Sequence, residues 1–273
     1  MNGNGYSNGH NGASGNTDKI VLGVIRKVLK KHRLGELVYL TITGANPWGV
    51  SQKTADYSYQ AIYASREEHS YQTYISGLPA IRLRKNITLQ SLERCVAPLI
   101  KFDAGWLVAI NSPAIFATKE FLELRNFFNK NLCKKIYEGC QRKIHRYGRQ
   151  GYLDEWQWLT CGIVALEKGR VIADLTQANK RYLKIPAINK IIEAERSGSV
   201  FDNQKVCDKV TAKLKGRLDL VLRRTKLPDA INLDKFRELK ILRKINYQYW
   251  LNEYGYTRYT KTGDFTTLRG GGR

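Results

Sequence analysis

The sequence has 273 residues, of which 42% are hydrophobic, so it can bury a core of ordinary size. Its 46 lysine and arginine residues outnumber its 24 aspartate and glutamate residues and give a net charge of +22 at neutral pH. No stretch approaches the roughly 18 apolar residues of a membrane-spanning helix, and the N-terminus lacks the apolar core of a signal peptide. We therefore expect neither membrane insertion nor secretion.

The cysteines indicate a reducing environment. There are five, widely spread and without a C-x-x-C pair: Cys95, Cys133, Cys140, Cys161 and Cys207. Disulfide frameworks and zinc sites normally use paired cysteines at closer spacing. The pattern therefore predicts free thiols in a cytoplasmic protein, with no bound metal and no cofactor.

The first part of the chain predicts mixed α and β structure. Residues 1–16 are mostly glycine, asparagine and serine, which is typical of a disordered tail. A helix whose polar side is basic is predicted from Thr17 or Asp18 to about residue 33. Four β-type runs then predict an antiparallel sheet, at residues 36–43, 57–64, 71–76 and 80–85.

Further elements follow the sheet. Thr88 is predicted to begin a short helix that ends near Pro98, and residues 106–111 predict another strand. One long helical pattern covers residues 114–147. The turn composition after it suggests a boundary near residue 150, so residues 17–150 form the predicted mixed α/β region.

The second part of the chain predicts mainly helices. Two apolar runs within residues 161–175 flank Lys168 and Gly169, which favours a tight hairpin. Helices are predicted at residues 186–198, 202–225 and 232–252, and an aromatic and basic tail at residues 254–273. The predicted fold class is α+β, with an N-terminal antiparallel sheet and its helices followed by a helix-rich basic region at 151–253.

The positive charge is unevenly distributed. Residues 1–117 carry a net charge of +6, and residues 118–273 carry +16. A polyanion relieves the self-repulsion of such a chain, so nucleic acid is the leading partner and an anionic membrane surface the second. We expect the C-terminal part to supply the main contact surface.

Basic side chains recur at every fourth position of the helix predicted at residues 202–225. Lys205, Lys209, Lys213 and Arg217, here called the first ridge, are followed by Arg224 seven residues later. Successive members lie about 6 Å apart along a helix, close to the spacing of phosphates along one nucleic-acid strand. A solvated helix face is the alternative, but such faces normally interleave acidic residues, and only Asp208 and Asp219 lie between Lys205 and Arg224.

A second basic ridge is predicted on the helix at residues 114–147. Lys135, Arg142 and Arg146, here called the second ridge, share one side of that helix. They can contact phosphates in the same way, and a solvated face is again the alternative. Sequence alone leaves open whether the two ridges face each other across a groove.

Tyrosines supply the candidates for base stacking. Tyr57, Tyr59 and Tyr63 have the even spacing that places side chains on one face of a strand, where unpaired bases can stack at about 1–3 kcal/mol each. Ordinary packing across strands is the alternative. The C-terminal tail adds two more stacking candidates and two cationic ones, which are Tyr256, Tyr259, Arg258 and Lys261.

Two patterns offer candidates for catalysis. Asp234, Glu238 and Lys240 resemble the acid, acid, lysine set of metal-dependent nucleases, in which carboxylates hold Mg²⁺. Charge pairing on a helix is the simpler explanation of that spacing. Arg26 and His32 have the spacing found in some helical ribonucleases, and no glycine-rich phosphate-binding motif occurs.

These observations favour a nucleic-acid-binding protein that contacts mainly phosphates. A role on DNA in replication, recombination or transcription is the first hypothesis, and RNA binding is the second. A metal-dependent or His-dependent nuclease is the enzymatic alternative, and Mg²⁺ would be needed only if the protein is a nuclease. A structural nucleoprotein or coat protein, which would form oligomers, is a further alternative.

Overall fold

The computed structural model describes residues 12–43, 58–65, 80–84, 86–147, 151–199 and 203–244. The predictions for most of the N-terminal tail, for the strand at 71–76 and for the C-terminal tail concern residues outside these ranges. The described part is α+β, as predicted, with a five-stranded sheet followed by a helical body.

The N-terminal elements form the sheet and the helix that covers it. They are α1 (Gly12–Lys31), β1 (Gly35–Thr43), β2 (Ser58–Ser65), β3 (Ile81–Arg84) and β4 (Ile87–Ser91), with β5 (Ala114–Ala117) added later in the chain. Helix α1 therefore begins at Gly12, and its first five residues belong to the segment predicted as a disordered tail. The strand order is β3-β4-β2-β1-β5.

The sheet is mixed, whereas the sequence predicted a purely antiparallel one. Strands β2 and β4 pair in parallel, and the other neighbours pair antiparallel. A parallel pair needs a long connection that returns the chain to the starting edge, and the connection from β2 to β4 spans residues 66–86. The sequence pattern marks strands but does not encode the direction in which they pair.

Both faces of the sheet are covered. Val21, Ile25 and Leu29 of α1 pack on one face, and the helical body packs on the other. A bulge in β1 between Leu37 and Tyr39 places two successive residues against the helical body. The sheet is therefore the middle of three layers.

Among the described residues, the helical body contains nine further α-helices. They are α2 (Leu92–Ile100), α3 (Ala104–Asn111), α4 (Lys119–Lys130), α5 (Lys135–Tyr147), α6 (Tyr152–Lys168), α7 (Leu175–Ala178), α8 (Pro186–Ser197), α9 (Gln204–Arg224) and α10 (Leu233–Arg237). A π-helical turn (Asn179–Leu183) follows α7, and a 3-10 turn (Lys240–Lys244) follows α10. Helix α6 lies at the centre, because every residue from Glu155 to Leu166 is buried.

Three predictions between residues 88 and 147 are wrong. Thr88 lies in β4, and the helix after it, α2, begins only after Ser91. Residues 106–111 belong to α3, which Asp103 caps by accepting a hydrogen bond from the backbone of Trp106. The single long helix is interrupted, since β5 precedes α4 and a break at residues 131–134 separates α4 from α5.

The hairpin predicted at residues 161–175 does not form. Those residues continue α6 to Lys168, and Gly169 ends the helix in the left-handed conformation (φ 61°). The predicted helices at 186–198 and 202–225 are confirmed as α8 and α9. The helix predicted at 232–252 is shorter in the described residues, where α10 ends at Arg237 and the 3-10 turn follows.

Replacement of two helical glycines by alanine should change the free energy of unfolding in opposite directions. Gly139 of α5 packs so closely that a Cβ atom would lie 2.0 Å from the carbonyl oxygen of Phe102, whereas Gly216 of α9 has nothing within 4 Å of that position. We expect Gly139→Ala to lower the free energy of unfolding by about 1–3 kcal/mol through steric overlap. Gly216→Ala should raise it by about 0.5–1 kcal/mol through helix propensity. Urea denaturation measures both, and equal effects would contradict this packing of α5.

Candidate nucleic-acid interface

Helix α9 carries the first ridge on its exposed side. The side chain of Asn203 caps the N-terminus of α9 by accepting a hydrogen bond from the backbone N–H of Val206. The side chain of Val206 is half-buried. The opposite side packs against α6, and its buried apolar residues include Val210, Leu214, Leu218 and Val221. Amphipathic periodicity therefore determines which side of α9 faces the solvent.

Three lysines of the first ridge stand in solvent without a partner. Lys205, Lys209 and Lys213 are exposed, and no hydrogen bond or ion pair joins them to other residues that the structure describes. Each step of four residues turns the row by about 40° around the helix. The ridge therefore winds from the outer side of α9 near its N-terminus towards one flank near its C-terminus.

Arg217, the last member of the first ridge, has a structural role that the sequence did not reveal. Its Nε and Nη2 atoms each donate a hydrogen bond of 2.9 Å to a carboxylate oxygen of Glu167, at the end of α6. This two-point ion pair joins the C-terminal ends of the two helices. Fifty residues separate the partners, so helical spacing alone could not identify the pair.

The two carboxylates of α9 are held on the side towards α5 and α6. Asp208 accepts a hydrogen bond of 2.8 Å from the hydroxyl of Tyr152, and Asp219 accepts one of 2.9 Å from Tyr137. Burial, then the hydrogen bond to Asp219, raises the pKa of Tyr137, so the phenol remains a donor at neutral pH. Both carboxylates are therefore bound to tyrosines, and within the described residues neither forms an ion pair with the exposed lysines of the first ridge.

The second ridge lies on a flank of α5 that faces away from α9. Arg142 donates a hydrogen bond of 3.3 Å to the carbonyl oxygen of Lys101 and lies 3.7 Å from Glu138. Arg146 is exposed, and Lys135 is half-buried. Tyr137 marks the flank that faces α9, and Arg146 lies nine residues later, about 180° around the helix. The two ridges do not face each other across a groove.

A separate groove of about 630 Å³ opens where α6 and α9 end side by side, here called the Leu220 groove. The two helices run parallel, because Tyr152 contacts Asp208 at their starts and the Thr225 hydroxyl donates to the Leu166 carbonyl at their ends. Arg217, Arg224 and Lys226 supply positive charge to the walls, and Leu220 supplies an apolar surface. Sequence analysis missed this groove, although it placed Arg217 and Arg224 in the interface.

The predicted tyrosine platform is wrong at Tyr59 and Tyr63, which are both buried. Tyr59 and Tyr63 do share one face of β2, as their spacing predicted, but both are buried beneath α1. The hydroxyl of Tyr59 donates a hydrogen bond of 3.3 Å to Asp18 of that helix. Neither ring can stack on a base in this arrangement. The other candidates of the tyrosine platform and tail lie outside the described residues: Tyr57, Tyr256, Arg258, Tyr259 and Lys261.

Helix α1 presents a further basic surface that was not among the predicted site residues. Its exposed side chains between residues 17 and 31 include five cations, Lys19, Arg26, Lys27, Lys30 and Lys31. Arg26 also lies over the ring of Phe116, with 5.3 Å between the guanidinium carbon and the ring centroid. The only acidic residue in that part of α1 is Asp18, which contacts Tyr59.

The candidate catalytic residues are all exposed. Asp234, Glu238 and Lys240 are exposed on and after α10, where Asp234 lies 3.3 Å from Arg237. His32 follows the end of α1 on the surface. Among the described residues no three His, Cys, Asp or Glu side chains are grouped so that they could hold a metal ion. All five cysteines are free and buried.

No protein-family model matches the chain, and no curated protein sequence matches it either. Over the ranges that the structure describes, none of the helices is both long enough and apolar enough to cross a membrane.

The pair formed by Arg217 and Glu167 predicts different roles for members of the first ridge. We expect Arg217→Gln to lower the free energy of unfolding by about 1 kcal/mol, because it removes a half-buried two-point ion pair. Lys209→Gln should change it by less than about 0.5 kcal/mol, because Lys209 is exposed. Urea denaturation of both variants measures the difference. An equal loss would show that the Arg217 pair contributes nothing to stability.

Proposed function

We propose that this protein binds nucleic acid through phosphate contacts made by the first ridge, with DNA as the first choice and RNA as the second. The observation that carries the proposal is the arrangement of Lys205, Lys209 and Lys213. All three are exposed, and they lack partners among the residues described. A solvated helix face would normally pair such lysines with acidic neighbours, and here the acidic residues of the helix are bound to tyrosines on another side.

The spacing of the three lysines suits a phosphate backbone. Successive members rise about 6 Å along α9, so neighbouring phosphates can each meet one ammonium group. Each contact releases condensed counterions, which makes binding favourable at low salt and weaker as salt rises. Arg224 extends the row at the far end of α9, and Arg146 and the exposed side of α1 add positive charge elsewhere.

The buried free cysteines suit a reducing compartment. The buried thiols need no disulfide to hold the helical body together, since they pack within the main core. Burial raises the pKa of the Cys95 thiol well above its usual value, so that side chain stays a neutral core residue. We therefore assign the protein to the cytoplasm as part of the proposal.

The first experiment is a binding series with single-stranded and double-stranded DNA and RNA of equal length, at several salt concentrations, with and without Mg²⁺. Tight binding that weakens steeply with salt supports the proposal and identifies the preferred strand. Cleavage that requires Mg²⁺ and is lost in Glu238→Ala would make the protein a nuclease. Cooperative oligomers on long nucleic acid, detected by sedimentation, would favour a structural nucleoprotein. Absence of binding to all four probes would overturn the proposal.

Neutralising the three exposed lysines should reduce the salt dependence of binding. We expect the combined variant Lys205→Gln, Lys209→Gln and Lys213→Gln to lower the slope of log K against log salt by about 2–3, because three phosphate contacts are lost. Arg217 is left in place, since its ion pair with Glu167 contributes to the fold. Fluorescence anisotropy with labelled oligonucleotides measures the slope.

A matched variant controls for net charge. Lys130, Lys180 and Lys190 are also exposed, lie on three different elements and form no row. Replacing all three by Gln removes the same charge and should change the slope by much less. A loss equal to that of the ridge variant would show that the first ridge has no special part in binding.

A further inference from the structure

The first ridge leads directly into the Leu220 groove. Because the row winds around α9, its last member, Arg217, lies in the wall of the groove, and Arg224 lies in the same wall two turns later. A strand whose phosphates follow the ridge would therefore have its next nucleotide at the mouth of the groove. The ridge and the groove form one continuous surface.

The groove combines an apolar surface with cationic walls. Leu220 is 44% exposed, and it is one of two large apolar side chains that stand in solvent among the described residues. Arg217, Arg224 and Lys226 line the same space with Glu167 as the acidic residue, and both oxygens of Glu167 are already bound by Arg217. The groove therefore keeps an excess of positive charge beside an apolar surface.

An apolar side chain beside phosphate-binding cations can contact the base of a nucleotide. A phosphate gains nothing from contact with Leu220, whereas the flat face of a nucleobase can pack against an aliphatic side chain or an arginine. The groove volume of about 630 Å³ falls within the range of about 300–1,000 Å³ that is typical of small-molecule sites. Size and surface chemistry are both suitable for one nucleotide.

We propose that the Leu220 groove binds an unpaired base of a single-stranded nucleic acid whose phosphates lie along the first ridge. This inference rests on the proposed function and adds to it a preference for single strands. In a duplex the base faces are stacked, and moving one base into the groove costs a few kcal/mol, whereas a single strand offers its bases freely. The walls are fixed before binding, because Thr225 and Arg217 tie α9 to α6.

The test compares three probes of equal length: single-stranded DNA, the same strand with abasic residues, and duplex DNA. The abasic strand keeps every phosphate and loses every base. We expect the wild-type protein to bind the normal strand about 5- to 150-fold more tightly than the abasic strand, since one stacked base contributes about 1–3 kcal/mol. The duplex should bind more weakly than the normal strand.

Leu220→Ala should reduce the ratio of the two affinities towards 1 and leave the abasic affinity and the salt slope unchanged. Ile20→Ala is the matched control, because Ile20 is 58% exposed on α1 and lies outside the groove, and it should keep the wild-type ratio. Equal affinity of the wild-type protein for normal and abasic strands, tighter binding of duplex, or an unchanged ratio in Leu220→Ala would each overturn this inference. Absence of binding to all three DNA probes and also to RNA of equal length would instead overturn the proposed function.

Discussion

The burial of α6 on all sides is the constraint on which the rest of the helical body depends. A helix with no solvent-facing side must be enclosed by other elements, and α5 and α9 both pack along it. Both helices approach α6 closely at Gly162, where a Cβ atom would lie 2.9 Å from Leu218 of α9 and 3.3 Å from Cys140 of α5. The indole of Trp156 donates a hydrogen bond of 2.8 Å to Thr211, which fixes the rotation of α9. That rotation decides which side chains of α9 reach the solvent.

The sequence predicted α9 well because the helix is long and half-exposed. Its apolar residues recur with helical period and its lysines fall on the other side, so pattern and structure agree. Helix α6 shows the opposite case. Residues 161–166 are apolar on every side of the helix, so they carry no helical period and resemble a buried strand flanked by turn residues. Helix α3 was missed for the same reason, since it is short and largely apolar.

The candidate site was only partly predictable, because contacts between distant segments carry no local signal. Even spacing correctly placed Tyr59 and Tyr63 on one face of β2, but it could not show that α1 covers that face. Arg217 has the same spacing as the lysines before it, and only its contact with Glu167 separates its role from theirs. The Leu220 groove arises where two helices end together, and no single segment contains it.

The tyrosine contacts of Asp208 and Asp219 also have a kinetic consequence. They keep the negative charge of α9 on the side towards the helical body, while the lysines point outwards, so the charge is asymmetric across the helix. The electric field of such an arrangement extends beyond contact distance and orients a polyanion while it is still diffusing. In the proposed complex with nucleic acid, ionic strength would then act chiefly on the rate of association, and the lifetime of that complex would depend on the short-range contacts formed afterwards.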